Sequence, residues 1–194
     1  SYSQNGKSVV ARARREVILA GGTVKSPQLL ELSGIGDPAV LAAAGVPVLQ
    51  ALKGVGTNLQ DHYMVSAAFK LHDCVTVNEL SRGWRLVREV ARYVTQRKGL
   101  LTLSAAHIQA YVHTRPGLAG PDVQYHILPG SMDVEAYVNK GQMVMEKHPG
   151  LTIAPCQLRP ESRGTIHIKT GAPLDRPAIR PNYLSDPLDQ ATIV

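Results

Sequence analysis

Side chains capable of acid–base, nucleophilic or metal chemistry are scattered along this chain. Its seven histidines are His62, His72, His107, His113, His126, His148 and His167. They contain no H-E-x-x-H and no pair four residues apart, the step that sets two ligands on one helix face. Cys74 and Cys156 form no C-x-x-C pair, so neither a zinc knuckle nor a redox dithiol is supported. No metal site follows from these patterns. Glycines offer a different kind of site. Gly21–Gly22 ends an apolar run, and a missing Cβ allows either a tight turn or close approach of the main chain to a ligand. Both readings stand at this point. Gly34-x-Gly36-x-x-Ala39 fits the loose form of the dinucleotide fingerprint. That fingerprint works only where a strand feeds the turn and a helix N-terminus meets the pyrophosphate. Here the glycines follow a helical segment, so the geometry is wrong.

Charge narrows the partners. The formal net charge is +6, from 21 Lys and Arg against 15 Asp and Glu. Apart from Arg12, Arg14 and Arg15, the positives cluster only at Arg82, Arg85, Arg88 and Arg92, whose helical spacing reads as a solvated face. One Phe and one Trp give no aromatic platform for stacking bases, so nucleic acid is not an expected partner. No window approaches the roughly 18–20 apolar residues of a transmembrane segment. No basic-then-apolar leader opens the chain, and a cytoplasmic protein is expected. Ser185–Asp186–Pro187 is a strong helix start only about two turns before Val194, so both ends read as cut from a longer protein.

The elements that must position any site follow from periodicity. Residues 8–22 read as two short strands, the second carrying the apolar run Val17–Ala20 into the interior. Ser26–Pro27 starts a helix with Leu29, Leu30 and Leu32 on its apolar side and Gly34 at its end. A second helix begins at Asp37–Pro38 and stops at Gly45. Together these resemble strand–helix–helix packing of an α/β layer. A long helix near 80–97 repeats Trp84, Val87, Ala91 and Val94 as one apolar stripe. Over 105–113, Ala106, Ile108, Ala110 and Val112 alternate with His107, Gln109, Tyr111 and His113. Val123, Tyr125 and Ile127 repeat the pattern, as do Ile166 and Ile168. Such strands predict an antiparallel sheet with one face open to solvent or ligand. Residues 130–150 read as loop or weak helix. The fold class is α+β.

Residues 22–36, GTVKSPQLLELSGIG, match position by position the second signature of the glucose-methanol-choline oxidoreductases. The matching positions are Gly22, Thr23, Ser26–Pro27, Leu29–Leu30 and Ser33–Gly34–Ile35–Gly36. REVILAGG before it, GVGTNLQDH at 54–62, PDVQYHILP at 121–129 and the stretch from Arg159 to Leu184 follow in that family's order. The sequence therefore resembles this family over nearly its whole length. The resemblance implies part of a doubly wound FAD-binding α/β domain over 1–62. It implies a substrate-binding domain over 63–158, with a largely antiparallel sheet flanked by helices, and the start of a C-terminal oxidoreductase region over 159–194. It implies FAD as cofactor, with Ala20, Gly21 and Gly22 beside it. The implied activity is oxidation of the CH–OH group of a primary or secondary alcohol, with hydride passing to flavin N5 while a base takes the hydroxyl proton. The phosphate-binding G-x-G-x-x-G of the family lies upstream of these residues and its catalytic His downstream. None of the seven histidines matches that motif, so no catalytic residue is assigned and the chain alone is expected to lack turnover.

Substrate selection is what remains. His107, Gln109 and Tyr111 are the candidate substrate-binding residues, with a solvent-facing strand surface as the equal alternative. Choline-oxidising members usually place Glu at the position aligned with His107, and a His there argues against choline itself. His62 is equally a neighbour of the flavin and a turn-stabilising residue. The expected partner is a small-molecule alcohol, with the electron acceptor unassigned. The alternative function is a non-catalytic binding or assembly module derived from the same family.

Overall fold

The computed structural model describes residues 2–104 and 106–194, which form two compact units. The first runs from the N-terminal residues to Leu59 and includes Gly164–Pro181; the second is Gln60–Arg163 with Asn182–Val194. Residues 159–194 are thus distributed over both. Among the described residues no helix is long and apolar enough to cross a membrane.

The first unit opens with a hairpin of β1 (Tyr2–Gln4) and β2 (Lys7–Val9). Asn5 and Gly6 both have positive φ, the conformation that two-residue hairpin turns need. Beyond Val9 the chain runs irregularly to Gly21. The second strand expected over 8–22 is absent, and Val17 and Ile18 are 78% and 79% exposed instead of buried. A strand persists only when its N–H and C=O groups meet a neighbour, and no described strand pairs with this run.

Helix α1 (Gly22–Leu32) begins five residues before the expected start, with Gly21 rather than Ser26 at the N-cap position. Pro27 lies inside it and removes one backbone donor, while the Ser26 hydroxyl reaches back to accept the Gly21 N–H at 3.1 Å. Ser26 therefore secures the helix entry without being its N-cap. The inward side is also polar, contrary to the leucine face expected: Gln28 and Glu31 are buried, whereas Leu29 is exposed. Gln28 Nε2 donates to the Asp175 carbonyl at 2.8 Å, and Glu31 accepts the Ile168 N–H at 2.8 Å and meets His167 Nδ1 at 2.7 Å. Gly34, at φ +80°, ends the helix as expected, and a Cβ there would come within 2.5 Å of the Pro47 carbonyl oxygen.

β3 (Ile35–Gly36) and β4 (Gln50–Ala51) pair in parallel across α2 (Pro38–Ala43), which Asp37 caps by accepting the Ala39 N–H at 2.8 Å. Fully buried Leu41 of α2, together with Val55, Ile166 and Ile168, forms the unit's core. An antiparallel pair, Thr165–His167 with Ala178–Arg180, completes it.

The second unit is built on a four-stranded antiparallel sheet. Its strands are β5 (Ala67–Lys70), β6 (Ile108–Val112), β7 (Val123–Leu128) and β8 (Gly150–Gln157), in the order β5-β8-β7-β6. Two of the three alternating segments read from sequence become neighbouring strands of this sheet, the third, around Ile166 and Ile168, pairs instead with Ala178–Arg180 in the first unit, and the α+β class holds. Ala105, where the first of these segments was expected to begin, lies outside the described residues.

Helix α3 (Val77–Leu80) starts in a capping box between Thr76 and Glu79. α4 (Gly83–Gln96) follows and ends at Arg97 in the left-handed region. Its apolar stripe points outward, with Trp84 67% exposed, while Glu89 is only 3% exposed and accepts the Leu100 N–H at 3.0 Å. Residues 130–149 contain one short helix, α5 (Val134–Lys140). Buried Asn78 ties this segment down: its amide donates to the carbonyls of Glu146 at 3.1 Å and His148 at 2.9 Å and accepts the Ser131 N–H at 2.9 Å. The expected helix at Ser185–Pro187 is α6 (Pro187–Ile193), capped by Asp186.

Candidate functional site

The sequence-selected residues fall in both units, and each group has its own geometry. In the first unit, Ala20, Gly21 and Gly22 are exposed where the irregular segment enters α1. The two glycines do different things. A Cβ on Gly21 would stand 2.9 Å from Lys25 Cβ and 3.2 Å from Ser26 N, so its small profile serves the helix entry itself. Gly22 has φ +72°, and apart from its chain neighbours and its own helix backbone nothing lies within 4 Å of where its Cβ would be. Its backbone therefore faces open space in a conformation that side-chain-bearing residues rarely adopt. Such an edge can receive a flat group at close range.

In the second unit the strand register decides what shares a face. Gln109 lies opposite His126 across β6 and β7, and His126 lies opposite Ala154 across β7 and β8. Tyr111, Gln124 and Cys156 form the next row, and Leu128 and Thr152 pair on the other side of His126. Directly opposed side chains point to the same face of a pleated sheet. Gln109 and Tyr111 therefore share a face, as expected, and the Tyr111 hydroxyl donates to Gln109 Oε1 at 3.1 Å. His107 immediately precedes β6 and is half-buried.

A hollow of about 370 Å³ opens on this face beside them. Met64, Ala106, His126, Leu128, Thr152 and Ala154 line it, with Ser66 at the exposed rim. His126 is the polar ring in the lining, and sequence reasoning missed it. The signal was present: Val123, Tyr125 and Ile127 were read as one alternating set, which leaves Gln124, His126 and Leu128 for the opposite face.

In the same unit, Asp61 accepts the Tyr183 hydroxyl and the His62 N–H, the latter at 3.0 Å. The bond to Asp61, helped by burial, holds the Tyr183 phenol above its ordinary range. Tyr63 packs against Tyr183 with ring centroids 5.5 Å apart. The His62 backbone thus takes part in this turn, and its side chain is exposed. Cys156 is buried, and that burial, with the Asp61 charge second, pushes its thiol up and away from reactivity. Among the described residues no group of His, Cys, Asp and Glu could hold a metal ion.

A model of the GMC oxidoreductase family matches residues 1–64. The chain is 38% identical over 189 residues to the oxygen-dependent choline dehydrogenase of Photobacterium profundum, covering 95% of this chain and 32% of that protein. It is 37% identical over 183 residues to the alcohol dehydrogenase (acceptor) of Pseudomonas putida, covering 92% and 32%. Formate oxidase shares the fold with a TM-score of 0.78 at 23% identity, over 93% of this chain and 35% of that one. The chain spans about a third of the length of these relatives.

Proposed function

Because the chain belongs to the GMC oxidoreductase family, we propose that it forms part of an FAD-dependent enzyme oxidising the CH–OH group of a primary or secondary alcohol. Residues 1–62 contribute to the FAD-binding domain, 63–158 make the substrate-binding domain, and 159–194 begin the C-terminal region. The observation that carries this reading is the open glycine edge at the head of α1. It belongs to the segment whose sequence matches the family signature, and Gly22 leaves free space where a side chain would stand.

Ala20, Gly21 and Gly22 would lie against FAD, whose bound flavin supplies the redox step by accepting hydride from the carbinol carbon. The chain's own part is positioning. His107, Gln109 and Tyr111, which lie outside the lining of the hollow, would meet the polar end of the alcohol from the sheet face beside it, and the apolar wall of the hollow would exclude water from its carbon body. No residue here is assigned the proton-abstracting role. The complete gene product, of which this chain is a part, is expected to purify yellow and to reduce a redox dye only when an alcohol is supplied. Gly22→Val, which combines a strained φ with a blocked edge, is expected to lower flavin content. Colourless, flavin-free protein without alcohol-dependent dye reduction refutes the assignment.

A further inference from the structure

The lining of the sheet-face hollow is informative in its charge. Among the described residues that line it there is no carboxylate and no Phe, Tyr or Trp; Tyr111, on the same face, lies outside the lining with its hydroxyl donated to Gln109. A quaternary ammonium leaving water needs one or the other, an anion to offset its charge or aromatic faces to cage it. Carboxylates near the sheet are committed elsewhere. Asp61 is held by Tyr183 and the His62 N–H, Asp122 by Thr114 and Arg115, and Glu146 by Ser131 and His148. None of them lines the hollow. What the hollow does offer is an apolar wall of Met64, Leu128 and Ala154 with the His126 ring among them. Thr152 spends its hydroxyl proton on the Gly130 carbonyl at 2.8 Å. In either neutral tautomer His126 presents one N–H donor and one ring-nitrogen acceptor, the complement of an alcohol hydroxyl.

We propose that this hollow takes an uncharged alcohol with a compact apolar body, that His126 meets its hydroxyl, and that cationic alcohols such as choline are excluded. The inference rests on the alcohol-oxidising reading above and names the substrate class for it. Its size, at the small end of ligand pockets, suits a body of a few carbons.

The test compares choline with its uncharged isostere, in which a tert-butyl group replaces the trimethylammonium. Each is titrated into the full chain while the imidazole Cε1–H resonances are followed by NMR, with His126→Gln identifying the His126 signal. The isostere is expected to shift that signal saturably, and choline to need about tenfold more ligand or to give no shift. Ser66→Asp, at the exposed rim, is expected to raise choline binding to at least that of the isostere. Equal or stronger binding of choline by the unmodified chain, or a His126 signal unmoved by both ligands, overturns the proposal. So does a folded Ser66→Asp variant that gains nothing for choline. Preference for choline in a flavin-bearing, alcohol-oxidising protein sinks this inference and leaves the proposed activity standing. Selective binding of the isostere by a protein that never acquires flavin does the reverse.

Discussion

Asp189→Asn should unlock the end of the second unit. Asp189 sits in α6, is 1% exposed, and gathers three donors: Gln157 Nε2 at 2.7 Å, Glu161 N at 2.8 Å and Ser162 N at 2.7 Å. Burial alone would raise its pKa. The bonds from Ser162, Glu161 and Gln157 outweigh that effect and hold the carboxyl below its ordinary value. An amide keeps the shape but loses the charge, and it turns an NH₂ toward one of the N–H donors. Replacing charge-assisted bonds by neutral ones and stranding one buried donor costs about 3–4 kcal/mol. With a urea m-value of about 1–3 kcal/mol/M, the midpoint should fall by more than about 1 M. Trp84, the single tryptophan of the chain, belongs to this unit and reports its unfolding.

The pH dependence provides an independent check. A depressed folded-state pKa means stability that is fully present above the unfolded value of about 4 and is lost as pH falls through the lower folded value. The gap between wild type and Asp189→Asn should therefore be widest near neutrality and narrow below about pH 4. A midpoint shift under about 0.3 M, or a gap that stays constant down to about pH 3, refutes the account of this carboxylate.

Three further outcomes follow from other polar groups. Asn78→Ala removes every anchor that this side chain gives residues 131–148 and is expected to cost about 3 kcal/mol, read as a lowered urea midpoint; a change within about 0.5 kcal/mol contradicts it. Glu31→Ala strips the Ile168 N–H of its acceptor, so hydrogen exchange at that amide should accelerate severalfold, and unchanged protection counts against the pairing. Asp61→Asn should bring the Tyr183 phenol down toward its ordinary value. In an ultraviolet titration one late-ionising tyrosine of the wild type then rejoins the others, and an identical curve in the variant rules the bond out.

Several features were legible because local chemistry fixes them. Asp37–Pro38 and Asp186–Pro187 start helices through a capping oxygen and a preset φ, and Gly34 and Gly45 end theirs in the left-handed conformation. The alternating segments became paired strands because period-two patterning reports which side chains share a face. The residues around Ala20–Gly22 carried the family resemblance directly. None of this required knowledge of the partner surface.

Where a partner decides, the sequence alone misled. Val17–Ala20 has the composition of a strand, but a strand also needs a neighbour, and among the described residues none pairs with it. The leucines of α1 suggested its inner face, yet Glu31 faces inward because His167 and the Ile168 N–H, 136 and 137 residues away, meet its carboxylate. α4 turned its apolar stripe outward while Glu89 found the Leu100 N–H across the next turn. His126 acquired its setting only when β7 came to lie between β6 and β8. Backbone capping and periodicity act within a few residues and are written locally. Burial of a charge or a ring depends on groups brought together from distant positions, and that was decided by the tertiary fold.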